Sequence, residues 1–141
     1  MSSRIEFDFP DDAALPTIPI ILSRSDRSIS VNALLDSGAT VNVLPYEMGI
    51  QLGAMWEEQT IRLPLAGNLA KVEARGLFLN VRVGNLEAVR LAFAWTNSSQ
   101  VPLILGQTNF FQEFDVCFQR SRCTIDISRL PPVGFANEQT Q

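Results

Sequence analysis

The chain contains no histidine, and this absence excludes a large share of known site chemistry. Without an imidazole there is no Ser-His-Asp or Cys-His machinery, and most zinc sites lose a ligand they need. Acid–base chemistry near neutral pH is left to carboxylates, Cys, Tyr or Lys. Cysteine is scarce too: Cys117 and Cys123 are too few for a disulfide framework. Strand alternation in FDVCFQRSRCTIDI puts Cys117 on the polar face and Cys123 on the apolar face with Ile125 and Ile127. Two reduced thiols are expected rather than a disulfide or metal pair. Basic residues are ten Arg and one Lys, scattered rather than clustered. With a net charge of -4 and a pI of about 4.7, a nucleic-acid backbone is not an expected partner. No apolar run approaches the roughly 20 residues that span a bilayer, so no membrane partner is expected either. The opening MSSRIEFDFPDD lacks the basic and apolar regions of a signal peptide. A soluble cytoplasmic protein is the expectation.

What is present suits one compact domain. The chain has 141 residues, 46% hydrophobic and 18% charged, enough to bury a core. The pattern is mostly short strands. Ile18 to Leu22 is an apolar run, SRSDRS a polar turn, and SISVNALLD alternates Ile29, Val31, Ala33 and Leu35 on one face, so this reads as a hairpin. YEMGIQLGA suits a short helix closed near Gly53, although Gly49 weakens it. IRLPLAGNLAKVEARGLFLNVRV is a longer β region in which Pro64 argues against a central strand and Ala66-Gly67-Asn68 is turn chemistry. Val83-Gly84-Asn85-Leu86 marks a hairpin turn into a strand around Val89, Leu91 and Phe93. After the loop TNSSQ comes the apolar VPLIL, then TNFFQEF as a helical turn or two, and a last hairpin over 114–128. No repeat, long amphipathic helix or second domain is visible. The fold class is all-β with one or two short helices. The expected organisation is an N-terminal segment 1–12, one domain over 13–128 and a flexible tail over 129–141.

One segment carries chemistry: LLDSGATVNVLP, from Leu34 to Pro45. An apolar strand ends in Asp36, and a carboxylate there needs donors or a proton. Ser37 offers a hydroxyl, and Gly38 permits close backbone approach. Asp-Ser-Gly is also ordinary turn chemistry, expected by chance in about 6 of 100 chains of this length, so context must carry it. That context is an apolar strand leading in, the run Val43-Leu44-Pro45 leading out, and a downstream Ile104-Leu105-Gly106 before a short helical segment.

These parts resemble the retropepsin family, the single-domain aspartic proteases of retroviruses and their bacterial and eukaryotic relatives. The match lies in A-L-L-D-S-G-A-T, the downstream I-L-G, and an intervening β-hairpin region, over about residues 16–128. The resemblance implies a closed acid-protease barrel assembled as a C2 homodimer, with Asp36 as the catalytic carboxylate. The chain holds a single D-[ST]-G, so the second carboxylate would come from another copy. Two carboxylates so close cannot both ionise easily and share a proton. The ionised one would take a proton from the attacking water. The protonated one would polarise the peptide carbonyl and later protonate the amine. Neither metal nor cofactor is needed. By resemblance, Ser37 would tie the two active-site loops together through its hydroxyl, Gly38 would let them close, and Ala39 would line the cleft. Ile104, Leu105 and Gly106 would pack beneath the loop and contribute apolar subsites. Residues 61–77 would form a flap with its tip at Leu65, Ala66, Gly67, Asn68 and Leu69, closing over a polypeptide substrate bound as an extended strand.

The sequence departs from the retroviral pattern at Thr40 and Gln107, where those enzymes typically carry Asp and Arg. A neutral Thr40–Gln107 hydrogen bond is expected to replace that ion pair without its desolvation cost. The flap region has one glycine at its tip, Gly67, where retroviral flaps have several. Elsewhere the blander readings prevail. Asp8, Asp11 and Asp12 read as a solvated acidic end, Trp56 and Trp95 as packing residues, and Asp115 and Asp126 as solvent-facing. Two further functions stay open: a catalytically inactive retropepsin-fold dimerisation or peptide-binding module, and a generic β-barrel binding domain in which DSG is only a turn.

Overall fold

The computed structural model describes residues 4–9 and 15–129. The tail beyond 129, and Asp11 and Asp12 of the acidic cluster, lie outside the described residues. The elements in chain order are β1 (Arg4–Asp8), β2 (Thr17–Arg24), β3 (Arg27–Leu35), β4 (Val43–Leu44) and α1 (Tyr46–Gln51), then β5 (Ala74–Arg82), β6 (Val89–Thr96), β7 (Ile104–Leu105), α2 (Phe110–Glu113), β8 (Phe114–Gln119) and β9 (Thr124–Arg129). Among these elements no helix is long and apolar enough to cross a membrane.

Alternation organises the first hairpin. In β2, Ile18, Ile20 and Leu22 point inward while Thr17, Pro19 and Ile21 are exposed. β2 and β3 pair antiparallel across a two-residue turn, tighter than the six-residue loop the sequence suggested, with Ser25 at φ 55°. The strand order is β2-β3-β7-β4-β6-β5, and β5 pairs back onto β2 through Ile21↔Arg82, Leu22↔Val81 and Ser23↔Asn80, so the sheet closes. The core inside it includes Leu22, Leu79, Val81, Leu91, Phe93 and Trp95, all at most 1% exposed. α1 forms as expected and ends at Gly53, whose φ of +80° suits glycine. Gly49, the residue that weakened the helix, is required: a Cβ there would collide with the Trp95 indole.

β1, β9 and β8 form a second sheet in that order. Residues 4–8, within the expected N-terminal segment 1–12, pair along their whole length with β9. Their pairing corrects a second expectation. Asp126 is on the polar face of β9, between Glu6 of β1 and Cys117 of β8, but it is buried rather than solvent-facing. Strands on both sides crowd it, and Arg4 (2.6 Å) and Gln119 (2.8 Å) both donate to Asp126 Oδ2. The ion pair raises the pKa of Arg4, first through the hydrogen bond and then through the charge of Asp126. Asp115 and Cys117 are exposed, and neither Cys117 nor Cys123 is in a disulfide. The other face of this sheet joins the barrel core through Ile125, Ile127 and Phe114, with Phe110 stacked on Phe114 at 4.8 Å between ring centroids.

The region 61–77 differs from the expected hairpin. Regular strand begins at Ala74; before it, the leading leg meets β5 at an isolated bridge, Arg62↔Arg75. Leu63 N–H donates to the Ala74 carbonyl, and Gly76 N–H to the Ile61 carbonyl. Pro64 has no N–H to extend this ladder. The chain then folds into a short 3-10 turn, Gly67–Leu69, with Gly67 at φ +63°.

Candidate active site

β3 ends at Leu35 and delivers Asp36 to the mouth of the barrel, beside β7. Asp36 N–H donates to the Leu105 carbonyl (3.1 Å), extending the parallel pairing of β3 and β7 by one bond. The chain then turns: Ala39 N–H donates to the Asp36 carbonyl (3.0 Å) and Gly38 N–H to Asp36 Oδ1 (2.9 Å). This answers the cost of a carboxylate after an apolar strand. Asp36 is half-buried, with one backbone donor and an opening to solvent. A Cβ at position 38 would sit 3.2 Å from Oδ1, so glycine keeps that side of the carboxylate clear.

The loop is pinned from below by the segment after β7. Gln107 N–H donates to the Ala39 carbonyl (2.9 Å) and Thr108 N–H to the Thr40 carbonyl (2.8 Å). The backbones approach so closely that a Cβ at Gly106 would lie 2.6 Å from the Val41 carbonyl oxygen and 2.9 Å from that of Ala39. The expected Thr40–Gln107 side-chain bond is not made. Gln107 Nε2 reaches instead to the Ser37 carbonyl at 2.8 Å, because the close pairing of the two backbones carries the amide past Thr40 to the turn.

A cleft of about 300 Å³ opens above this floor. Asp36, Gly38, Ala39 and Thr40 line one side together with Ile104, and Leu65, Ala66, Gly67, Asn68 and Leu69 line the other. The structure therefore brings the DSGAT loop and the expected flap tip to one cavity. Leu105 and Gly106 are buried behind it, and Ser37 and Gln107 are exposed beside it rather than lining it. Asp36 is the one ionisable side chain among the described lining residues. Apolar contacts hold the two sides together: Val43, Val101 and Ile104 form a buried cluster against which Leu65, Leu69 and Val72 pack.

Three participants were not anticipated. Val41 and Val43 also line the cleft. Asn42, fully buried, is the central tie of the floor. Its Oδ1 accepts from Gly106 N–H (2.8 Å), its Nδ2 donates to the Ala92 carbonyl (3.0 Å), and its own carbonyl accepts from Ala94 N–H (2.8 Å). β4 is too short to satisfy β6 at Ala92, so side chains do so: Asn42 takes its carbonyl, and Asn109 Oδ1 accepts its N–H at 2.9 Å. Asn109 also caps α2, from φ 77° and ψ -72°, the strained γ-turn conformation, closed by Phe110 N–H donating to the Thr108 carbonyl (3.1 Å). An Asn just before an apolar pair, six residues after the Asp, was the available signal.

A carboxylate on a glycine turn, at the floor of an apolar cleft faced by a turn-bearing segment, is half of what an aspartic peptidase uses, since that chemistry needs two such carboxylates. A family profile described as aspartyl protease matches residues 26–108, from the end of β2 through the segment that pins the floor. The chain belongs to this aspartyl protease family. Its fold is similar to the crystal structure of a retropepsin-like aspartic protease from Rickettsia conorii, with a TM-score of 0.67 at 13% identity, covering 89% of this chain and 91% of that one. No curated protein matches it by sequence.

Proposed function

We propose that the chain is an aspartic endopeptidase whose active site is completed by a second copy, Asp36 of each subunit meeting on a two-fold axis. The observation that carries this reading is the solitary Asp36: one carboxylate, tethered by Gly38 N–H, at the floor of a cleft whose described lining holds no other acid. One carboxylate cannot both activate water and protonate a leaving amine. In the pair, the ionised Asp36 accepts a proton from water as the oxygen attacks the peptide carbonyl. The protonated Asp36 donates a hydrogen bond to that carbonyl, and its proton then serves the departing nitrogen. Ser37, exposed at the turn, would bond across the axis through its hydroxyl, and Gly38 would permit the close approach.

The peptide lies extended between the floor and the 65–69 segment, held by main-chain hydrogen bonds. Val41, Val43, Leu65, Leu69 and Ile104 favour apolar side chains beside the scissile bond. With Thr40 neutral, no carboxylate is available there to grip substrate main-chain N–H groups. The test is cleavage of an unstructured, apolar-rich polypeptide at mildly acidic pH by the purified chain. Asp36→Asn should abolish cleavage and leave a folded dimer. Equal activity in that variant would remove Asp36 from the chemistry, and a folded dimer inert on varied peptides would favour a binding module.

A further inference from the structure

The geometry points to Arg75 as a positioning residue that clamps the leading leg of the lid and so governs how the lid closes on a peptide; this rests on the lid having the role proposed above. Arg75 is the second residue of β5, and its side chain is only 16% exposed. Its guanidinium lies 4.5 Å from the centroid of the Trp56 ring. Nη1 donates to the carbonyls of Trp56 (2.8 Å) and Gln59 (3.3 Å), and Nη2 to Glu73 Oε2 (3.3 Å). Trp56 is in turn set edge-on against Trp95, 5.2 Å between centroids, and Trp95 is fully buried on β6. One planar group thus ties the turn entering the lid to the start of the strand leaving it, with Trp56 of that turn braced on the buried Trp95.

The position matters because the base of the lid is lightly held: apart from Arg75, Asn97 N–H donates to the Glu73 carbonyl (3.0 Å) and the exposed Arg62 lies 4.0 Å from the Glu73 carboxylate. Two backbone bonds, from Leu63 N–H and Gly76 N–H, join its legs, and both flank Arg75. Beyond them the cleft-lining turn is held only by its own local bonds and by apolar contacts that a bound peptide would replace. A guanidinium suits this task and an ammonium does not, since only the planar fork can stack on the indole while donating to separate acceptors. Arg75 reaches no reacting atom; its effect passes through the placement of residues 61–69.

The test uses the full chain with Arg75→Met, Arg75→Lys and Trp56→Leu. Arg75→Met should speed hydrogen exchange at the Leu63 and Gly76 amides about tenfold or more while β2–β3 amides keep their rates. Its KM for peptide should rise further than its kcat falls, and Arg75→Lys should recover part of both effects. Trp56→Leu, which removes the stacking partner, should resemble Arg75→Lys. Unchanged exchange at Leu63 and Gly76 in Arg75→Met, or acceleration no greater than in β2–β3, would overturn the clamp. If Arg75→Met does not fold, Arg75→Lys carries the same comparison, and wild-type exchange in it overturns the forked clamp. Exchange needs no catalysis, so the two readings fail separately. A wild-type chain that cleaves nothing sinks the peptidase, whereas an active chain with an unaltered lid base in Arg75→Met sinks the clamp.

Discussion

Residues 36–42 and residues 61–73 face each other across one cleft, yet they are held by different forces. The floor loop is bonded in nearly every direction: to β7 through Asp36 N–H, to the following segment through the carbonyls of Ser37, Ala39 and Thr40, and to β6 through Asn42. The lid has two backbone bonds between its legs, one more from Asn97 N–H to the Glu73 carbonyl, the Arg75 contacts, an exposed Arg62–Glu73 ion pair, and a set of apolar side chains resting on Val43, Val101 and Ile104. Directional bonds fix a carboxylate to the precision that proton transfer demands. Apolar contacts are non-directional and exchangeable, so in the proposed function the lid would release the floor and grip a peptide with the same side chains. Under that proposal the contrast divides the labour: the floor would set chemistry and the lid binding.

This division is broken or sharpened by substitutions on each side. Gly106→Ala should cost most, about 3 kcal/mol, because the new methyl meets two backbone carbonyls that cannot move without shifting the Asp36 loop; urea unfolding measures it. Asn42→Ala should cost about 2 kcal/mol by stranding Gly106 N–H and the Ala92 carbonyl in the interior, and should lower kcat with little effect on KM. On the lid, Leu69→Ala should cost only about 1 kcal/mol, since Leu69 is half-buried, but should raise KM while kcat is nearly kept. Gln107→Ala should be mildest, about 0.5 kcal/mol, for its bond to Ser37 is exposed. A Leu69→Ala variant that lost kcat at constant KM would erase the distinction between floor and lid.

The legible features were those whose chemistry is local. Asp-Ser-Gly, the Ile104-Leu105-Gly106 run and the Ala66-Gly67-Asn68 turn each announce themselves within a few residues, and the structure gathers them at one cleft. Hairpins read well because alternation and turn residues are both short-range. Asn42 was hidden because its meaning lies in backbone groups 50 and 64 residues away. Asp126 shows another limit. Alternation correctly placed it on the polar face of β9, but alternation reports a face and not the neighbours to either side. β1 was not expected as a strand, so nothing suggested that β9 is central and its polar face crowded. The lid lost its expected strand character at Pro64, a breaker noticed in the sequence but read only as excluding a central strand. Gly49 looked like a flaw in a helix because the indole it accommodates is 46 positions along the chain, at Trp95.

The central claim is that each chain holds half of an active site. Mixing wild-type chains with Asp36→Asn chains, with subunits allowed to exchange, tests it directly. If both carboxylates are required, only dimers with two wild-type subunits cut, and activity follows the square of the wild-type fraction. An equal mixture then retains about a quarter of the activity of wild type at the same total concentration. Activity falling in simple proportion to the wild-type fraction, about half at equal mixing, would show that one chain suffices and would contradict the account.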